Sequence, residues 1–353
     1  MTPPKLPQQR LYNQRLTATP LDTPADVVRW LGAVQAQDYL GSLWAIGVRS
    51  RHATEATIER AIADRSIVRT WPMRGTLHFV AAEDVRWMLE LLTPRVLAAA
   101  SGRLSDLGLD RRALARSAAA VSRALEGGRR LTRDALYRVL QDVRISTAGG
   151  RGSHIVWSLA HDGLICFGPR EGKQQTFVLL EEWIPGARRL PREEALGELT
   201  RRYFTSHGPA TAHDFAWWSG LRVSEVAEAL ALASAHLVSF QVGGRNHWAA
   251  TSALESNGRA PGALLLPPFD EFTVAYKDRS AVLSSANRGR IQGMALLGPT
   301  MVVNGRVAGF WSRRLAAGSM KIELQPFARL TPTARRAVSS AMQRYAAFVT
   351  GIG

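Results

Sequence analysis

A single cysteine, Cys166, occurs in the 353 residues. No intramolecular disulfide can form, and a reducing compartment, the cytoplasm, is the expected setting. The eight histidines include no HxxxH pair and no Cys/His cluster at ligand spacing. Neither a structural nor a catalytic zinc is therefore expected, and no other cofactor. Lysine is scarce, 4 residues against 41 arginines. No run approaches the roughly 18 apolar residues of a membrane-spanning helix. The opening "MTPPKLPQQRLYNQRL" has no apolar stretch of the kind a secretory signal needs. Low-complexity segments and long linkers are missing too. A secreted disulfide scaffold, a helical membrane protein and a disordered chain are all disfavoured.

What is there is an ordinary globular composition with a strong charge bias. Hydrophobic residues make up 46% and charged ones 21%, with a formal net charge of +16 and a sequence pI near 11.1. Such a field attracts polyanions, and nucleic acid leads among them. The arginine excess fits either GC-rich codon usage or selection for phosphate-binding guanidinium groups. The length predicts two or three packed units.

Residues 23 to 80 read as three short helices followed by a hairpin. Thr23, Pro24 and Asp26 supply an N-cap, a first-turn proline and a first-turn acid. Val27, Leu31 and Val34 then recur at helical spacing. A second helix starts at Asp38 and carries Leu40, Leu43, Trp44 and Val48. A third begins near Thr54 with Ile58, Ala61 and Ile62. "SIVRTWPMRGTLHFV" (66 to 80) follows as two strands around a Pro/Gly turn, completing the layout of a winged helix-turn-helix. Similar orders return over residues 111 to 180 and 191 to 251, a weak internal repeat of units of roughly 60 residues. Beyond, 263 to 279 and 299 to 311 read as strand-rich, with Asn304-Gly305 as the strongest hairpin signal. A basic helix capped by Thr331 closes the chain. The predicted fold class is α+β, with three tandem winged helices and a β-rich C-terminal region. The expected divisions are 1–90, 91–186, 187–255 and 256–353.

The stretch "LGAVQAQDYLG" (31 to 41) holds two glutamines flanking one alanine. On a continued helix Gln35 and Gln37 would point roughly 200° apart. If the helix ends near Val34 and Asp38 caps the next one, the segment between is extended, and residues i and i+2 face the same way. Two convergent amides then become possible, each with one acceptor and two donor hydrogens. A polar turn with no chemical role satisfies the same pattern.

Five stretches bear on that choice: "GAVQAQDYLGSLWAIGVR", "RTWPMRGTLHFV", "HGPATAHDFAWWSGL", "LPPFDEFTVAYKDRS" and "PTMVVNGRVAGFW". Together, and in order from about residue 10 to about 345, they resemble the AlkZ/YcaQ family of winged-helix DNA glycosylases. The resemblance implies three winged helices arranged in a C-shape around a β-rich core. It implies excision of bulky N7-alkylguanine adducts from double-stranded DNA, with interstrand crosslinks unhooked by several members. The family's motif, Gln, an apolar residue, then Gln or Asp, falls on Gln35 and Gln37. The hairpin at Asn304, Gly305 and Arg306 matches the family's DNA-probing hairpin.

The chemistry suits such mild groups. Guanine alkylated at N7 is cationic, so its glycosidic bond is already weakened and no general acid is required. What remains is to stabilise an oxocarbenium-like sugar and to hold a water near C1′, a matter of positioning. Other candidates are Arg69, Arg74 and His78 on the first hairpin, for phosphate contact or, for His78, packing. Arg151 and His154 open a helix that could meet DNA. Asp270, Glu271, Asp278 and Arg279 read as a buried ion-pair network rather than a catalytic pair. Trp217 and Trp218 read as core anchors. Lys277 would be the Schiff-base candidate, but lysine scarcity favours hydrolysis without lyase chemistry. A monomer is expected, and a non-enzymatic winged-helix regulator is the rival reading.

Overall fold

Local signals set the helix starts in the computed structural model, which describes residues 5–254, 262–283, 285–288, 298–316 and 319–351. The Thr23 hydroxyl accepts the Asp26 N–H to begin the helix Pro24–Leu31, and Gly32, at φ 79°, ends it. Asp38 caps Tyr39–Gly47 through the Gly41 N–H. Thr211 and Asp214 form a reciprocal capping box on Ala212–Ser219. Thr331 caps the last helix, Pro332–Thr350. Each cap satisfies N–H groups that a helix start leaves open.

The expected order of three helices and a hairpin is present along 24–81. Helices Pro24–Leu31, Tyr39–Gly47 and Glu55–Ala63 precede strands Ile67–Met73 and Thr76–Ala81. The later segments follow the same order, with Arg111–Leu125, Arg133–Asp142 and Arg151–His161 before Ile165–Glu171 and Gln174–Leu179. Then come Arg192–Ser206, Ala212–Ser219 and Val223–Leu232 before Leu237–Val242 and Arg245–Ala250.

Four features depart from the sequence expectation. The first helix ends at Leu31, so Val34, expected on it, begins a short strand instead. An eight-residue helix, Leu6–Asn13, precedes the first cap. A 22-residue helix, Val85–Asp106, carries Pro94 inside it; its hydrophobic residues do not fall on one stripe, so periodicity does not reveal it. Of the strand-rich stretch 263–279, only Ala263–Leu266 is a strand. Asp270 then caps a short helix, Glu271–Val274, because its carboxylate takes the Phe272 N–H.

The chain packs as two units, coarser than the four expected divisions. One is formed by Met1–Ile58 with Leu196–Gly353, the other by Glu59–Ala195. In the first, an antiparallel sheet runs in the order Ser319–Pro326, Arg306–Ala316, Thr300–Val303, Ala263–Leu266. The helix Pro332–Thr350 crosses Tyr39–Gly47 closely: a Cβ on Gly47 would sit 2.3 Å from the Phe348 ring. Leu11, Leu264, Leu266, Phe272 and Val302 share one core cluster. A fully buried pair, Arg49 and Asp270, is joined by two bonds of 2.8 Å, and Arg49 Nε also donates to the Gln14 carbonyl. A desolvated pair is sustained only when its remaining donors are met in this way.

In the second unit the two hairpins join edge to edge, with Arg69 opposite Phe167, and Leu131–Thr132 adds to the far side. Val121, Leu136, Leu140, Ile155, Leu159 and Phe177 form its core.

Candidate active site

The segment between the first two helices is not helical: Gln35 lies in a short strand and Gln37 in the bend that follows it. Val34–Gln35 is a short strand, Ala36 is fully buried, Gln35 is half-buried and Gln37 exposed. Burial alternates over Gln35, Ala36 and Gln37, with Ala36 the one turned into the core. Glutamine side chains do not titrate, so the pair offers the same donors and acceptors across the physiological pH range.

Behind this segment sits a buried carboxylate. Glu271 is fully buried, and its Oε1 accepts the Gln35 backbone N–H at 3.2 Å. Its Oε2 accepts the Trp218 indole N–H at 2.9 Å and lies 3.3 Å from His207 Nε2. His207 Nδ1 in turn meets the Ser206 hydroxyl at 2.8 Å, and its ring stacks on Tyr203 with centroids 5.0 Å apart. Trp218 also packs beneath Gly32, the residue that ends the preceding helix, at 3.5 Å from where a Cβ would stand. One indole thus supports both the turn before the glutamines and the carboxylate under them. Glu271 is aimed by its neighbour, because Asp270 is clamped by Arg49 and caps the short helix on which Glu271 stands.

The ion-pair reading of the "FDEF" stretch holds for Asp270, whereas Glu271 serves the glutamine segment instead. Sequence spacing carries no sign of that link, which spans 236 residues. Asp278 pairs with Arg245. Trp218 is the core anchor expected, but Trp217 is 47% exposed, with its indole N–H on the Val274 carbonyl. Lys277 is exposed, and its backbone N–H donates to Asp214.

The candidates for DNA contact divide by burial. Arg69 is only 5% exposed, donates to Gln175 and lies 4.7 Å from the Phe167 ring centroid. Its guanidinium is part of the packing, so the phosphate-contact expectation is corrected for this residue. His78 is fully buried as well. Arg74 Nη2 approaches its Nε2 at 3.2 Å, which makes Nε2 the acceptor and leaves Nδ1 to donate to the Thr76 carbonyl at 2.9 Å. Packing, not phosphate contact, is the role this burial supports. Arg74 is half-buried in the hairpin turn at φ 54°. Arg151 donates to the Ser146 and Leu107 carbonyls, and His154 bonds the Gly150 carbonyl; both are half-buried.

Asn304 and Gly305 take positive φ of 49° and 82°, the geometry that favours Asn-Gly in a two-residue hairpin turn. Gly305 is nonetheless buried, with Pro7 and Leu11 at 3.3 and 3.5 Å from a would-be Cβ. Asn304 and Arg306 beside it are exposed. The longer hairpin is Arg306–Ala316 with Ser319–Pro326, which the Asn-Gly signal does not announce. Among the described residues no group of His, Cys, Asp and Glu could hold a metal ion, and no helix is long and apolar enough to cross a membrane.

A curated relative, the interstrand DNA cross-link repair glycosylase of Streptomyces sahachiroi, is 29% identical over 321 residues, covering 86% of this chain and 85% of that one. The solved structure of the Streptomyces sahachiroi DNA glycosylase AlkZ superposes with a TM-score of 0.80 at 24% identity, over 99% of this chain and 96% of the other. The family model described as DNA glycosylase AlkZ-like matches residues 28–348. The chain belongs to the AlkZ-like DNA glycosylase family.

Proposed function

We propose that this protein hydrolyses the N-glycosidic bond of cationic N7-alkylguanine adducts in double-stranded DNA, with Gln35 and Gln37 as the catalytic pair. The observation that supports the reading is the short Val34–Gln35 strand, its Gln35 backbone N–H held by the buried Glu271 carboxylate. The alkylated base departs with the bonding electrons and becomes neutral. The amides hold a water against the C1′ cation, the new C1′–O bond forms, and the proton goes to solvent. A well-aimed hydrogen bond of this kind is worth roughly 10²–10³ in rate. The cross-link activity in the relative's name motivates interstrand crosslinks as further substrates, in general repair or in self-resistance to a genotoxic natural product.

The three helix–hairpin segments are read as tandem winged helices of a C-shaped, monomeric, cytoplasmic enzyme. In that reading 1–90 carries the glutamines, 91–186 and 187–255 the second and third winged helices, and 256–353 the β-rich region. Arg74, Arg151, His154, Asn304, Gly305 and Arg306 are the proposed DNA contacts. The product is an intact abasic site. The test is release of base from matched oligonucleotides that differ only in the lesion. Release of 7-methylguanine with uracil, 8-oxoguanine and ethenoadenine at least several orders slower is expected, because neutral bases need an acid that amides do not supply. Efficient release of a neutral base with 7-alkylguanine ignored overturns the proposal.

A further inference from the structure

The second unit holds a cavity of about 270 Å³ that plays no part in the glutamine chemistry. Four elements wall it. Trp71 comes from the strand Ile67–Met73, and Arg133 from the first turn of Arg133–Asp142. Ala100 and Arg103 come from Val85–Asp106, His154 and Trp157 from Arg151–His161. In each of these last two helices the pair is three residues apart, the spacing that puts side chains on one face.

Other rings hold the two indoles in place. The buried His161 ring lies 3.9 Å from that of Trp157 and 6.4 Å from that of Trp71 between centroids, and its Nδ1 donates to the Trp157 carbonyl at 2.8 Å. Phe167 packs on Trp71 at 5.1 Å. Such walls need little ordering when a ligand arrives. Trp87, Trp218 and Trp311 spend their indole N–H groups on protein acceptors. Trp71 and Trp157 do not: neither N–H has an acceptor among the described residues, and neither is buried away from solvent. His154 adds the opposite function. Its Nδ1 donates to the Gly150 carbonyl at 2.9 Å, which in the neutral ring leaves Nε2 as an acceptor. Arg103 and Arg133 are exposed and form no ion pair among the described residues. No carboxylate is among the described lining residues.

Flat apolar faces, donors and an acceptor beside them, and two unneutralised cations are the complement of one nucleotide. Every nucleobase has a π-face that stacks on aromatic side chains, polar edges and a phosphate beside it. The volume suffices, because cavities of about 150 Å³ already take a benzene ring. A base still stacked in a duplex cannot enter; it has to leave the stack first. We propose that this cavity takes one unpaired nucleobase of the DNA against the Trp71 and Trp157 indoles, with the adjoining phosphate on Arg103 and Arg133. The inference rests on DNA as the partner and is independent of what Gln35 and Gln37 do.

The experiment measures binding of the full-length protein to two undamaged duplexes, one fully paired and one with a single bulged thymine. The readout is the ratio of the two Kd values by fluorescence anisotropy, which cancels general losses of duplex affinity. For the wild type the bulged duplex is expected to bind about tenfold tighter, the scale of one base–aromatic stack. Ala100→Trp should fill the cavity and bring the ratio near one. Arg103→Gln combined with Arg133→Gln adds no bulk at two exposed positions and should lower the ratio as well, which covers the case in which the larger side chain disturbs its helix. A ratio lost in either variant places the base in the cavity. A wild-type ratio near one, or a tenfold ratio unchanged in both variants, overturns the assignment. Because no lesion is present, the result does not depend on excision: a protein that prefers the bulge yet releases no 7-methylguanine keeps this inference and loses the hydrolysis reading.

Discussion

The carboxylate of Glu271 accepts the backbone N–H of Gln35 at 3.2 Å, joining the first helix–turn segment to a short helix far along the chain. With Trp218 and His207 on its second oxygen, this one side chain sets where the glutamine backbone runs. Glu271→Ala strands these buried partners, each costing about 1–3 kcal/mol. The expected result is a loss of several kcal/mol in denaturant unfolding. Glu271→Gln keeps the shape and an acceptor, so it should stay folded, bind DNA near wild-type strength and lose about tenfold in single-turnover excision. Wild-type excision in that variant would remove Glu271 from the mechanism.

Gln37→Ala should reduce excision of 7-methylguanine by roughly 10²–10³ while duplex affinity changes little, because the amide acts on the reaction rather than on affinity. Gln35→Ala should do the same to an equal or smaller degree. Paired excision and binding assays on the two variants separate the effects, and wild-type rates in both would displace the glutamines from their role.

The break in helix at the glutamines was legible because Asp38 is a strong cap and the first helix has to stop before it, although the helix stops at Leu31 and only Gln35 of the pair lies in a strand. The helix starts at Thr23, Thr211 and Thr331 were equally readable, since capping is local chemistry. Glu271 was not, because a contact between distant segments leaves no trace in spacing, and an acid after Asp270 reads as half of an ion-pair cluster. Arg69 misled for a related reason, and the packing alternative for His78 could not be chosen: the two lie on opposite faces of the hairpin, and only the packed fold shows that both faces are covered. The Asn304-Gly305 turn was correctly placed, yet the helix Leu6–Asn13 that covers it belongs to a stretch with little apolar periodicity.

With a net charge of +16, duplex affinity should fall steeply with salt. Log affinity against log salt is expected to slope by roughly 0.9 per phosphate neutralised. Fluorescence anisotropy on an undamaged duplex across a salt series measures this, and a flat line would point to a different partner.

Lysine scarcity predicts a hydrolase without lyase chemistry. Product strands should break only after alkali, and borohydride should trap no covalent protein–DNA adduct. A trapped adduct that disappears in Lys277→Ala would reverse this assignment.

His161 gives the second unit a sensitivity to acid. Burial lowers its pKa to about 4, and its ring lies 3.9 Å from that of Trp157. The folded value lies below the unfolded one near 6.5, so the unfolded chain binds the proton more readily. The stabilisation is whole above about pH 6.5 and is lost as pH falls toward 4, a change of about 3 kcal/mol. His161→Gln should flatten the stability of the protein between pH 6.5 and 4, as read from urea midpoints.

The first unit is assembled from two stretches of chain, while the second is one unbroken run from Glu59 to Ala195. On a ribosome the unbroken run can complete its own core as soon as it emerges, since domains form as units during synthesis. Gln35 emerges long before that, and Glu271 long after. The amide segment must therefore wait, unbraced, through the making of a whole intervening body, and closing so long a loop costs entropy that only the finished C-terminal part can offset. Excision is in this sense the last property the nascent chain acquires, and a chain released early would carry both glutamines without the carboxylate that takes the Gln35 backbone N–H.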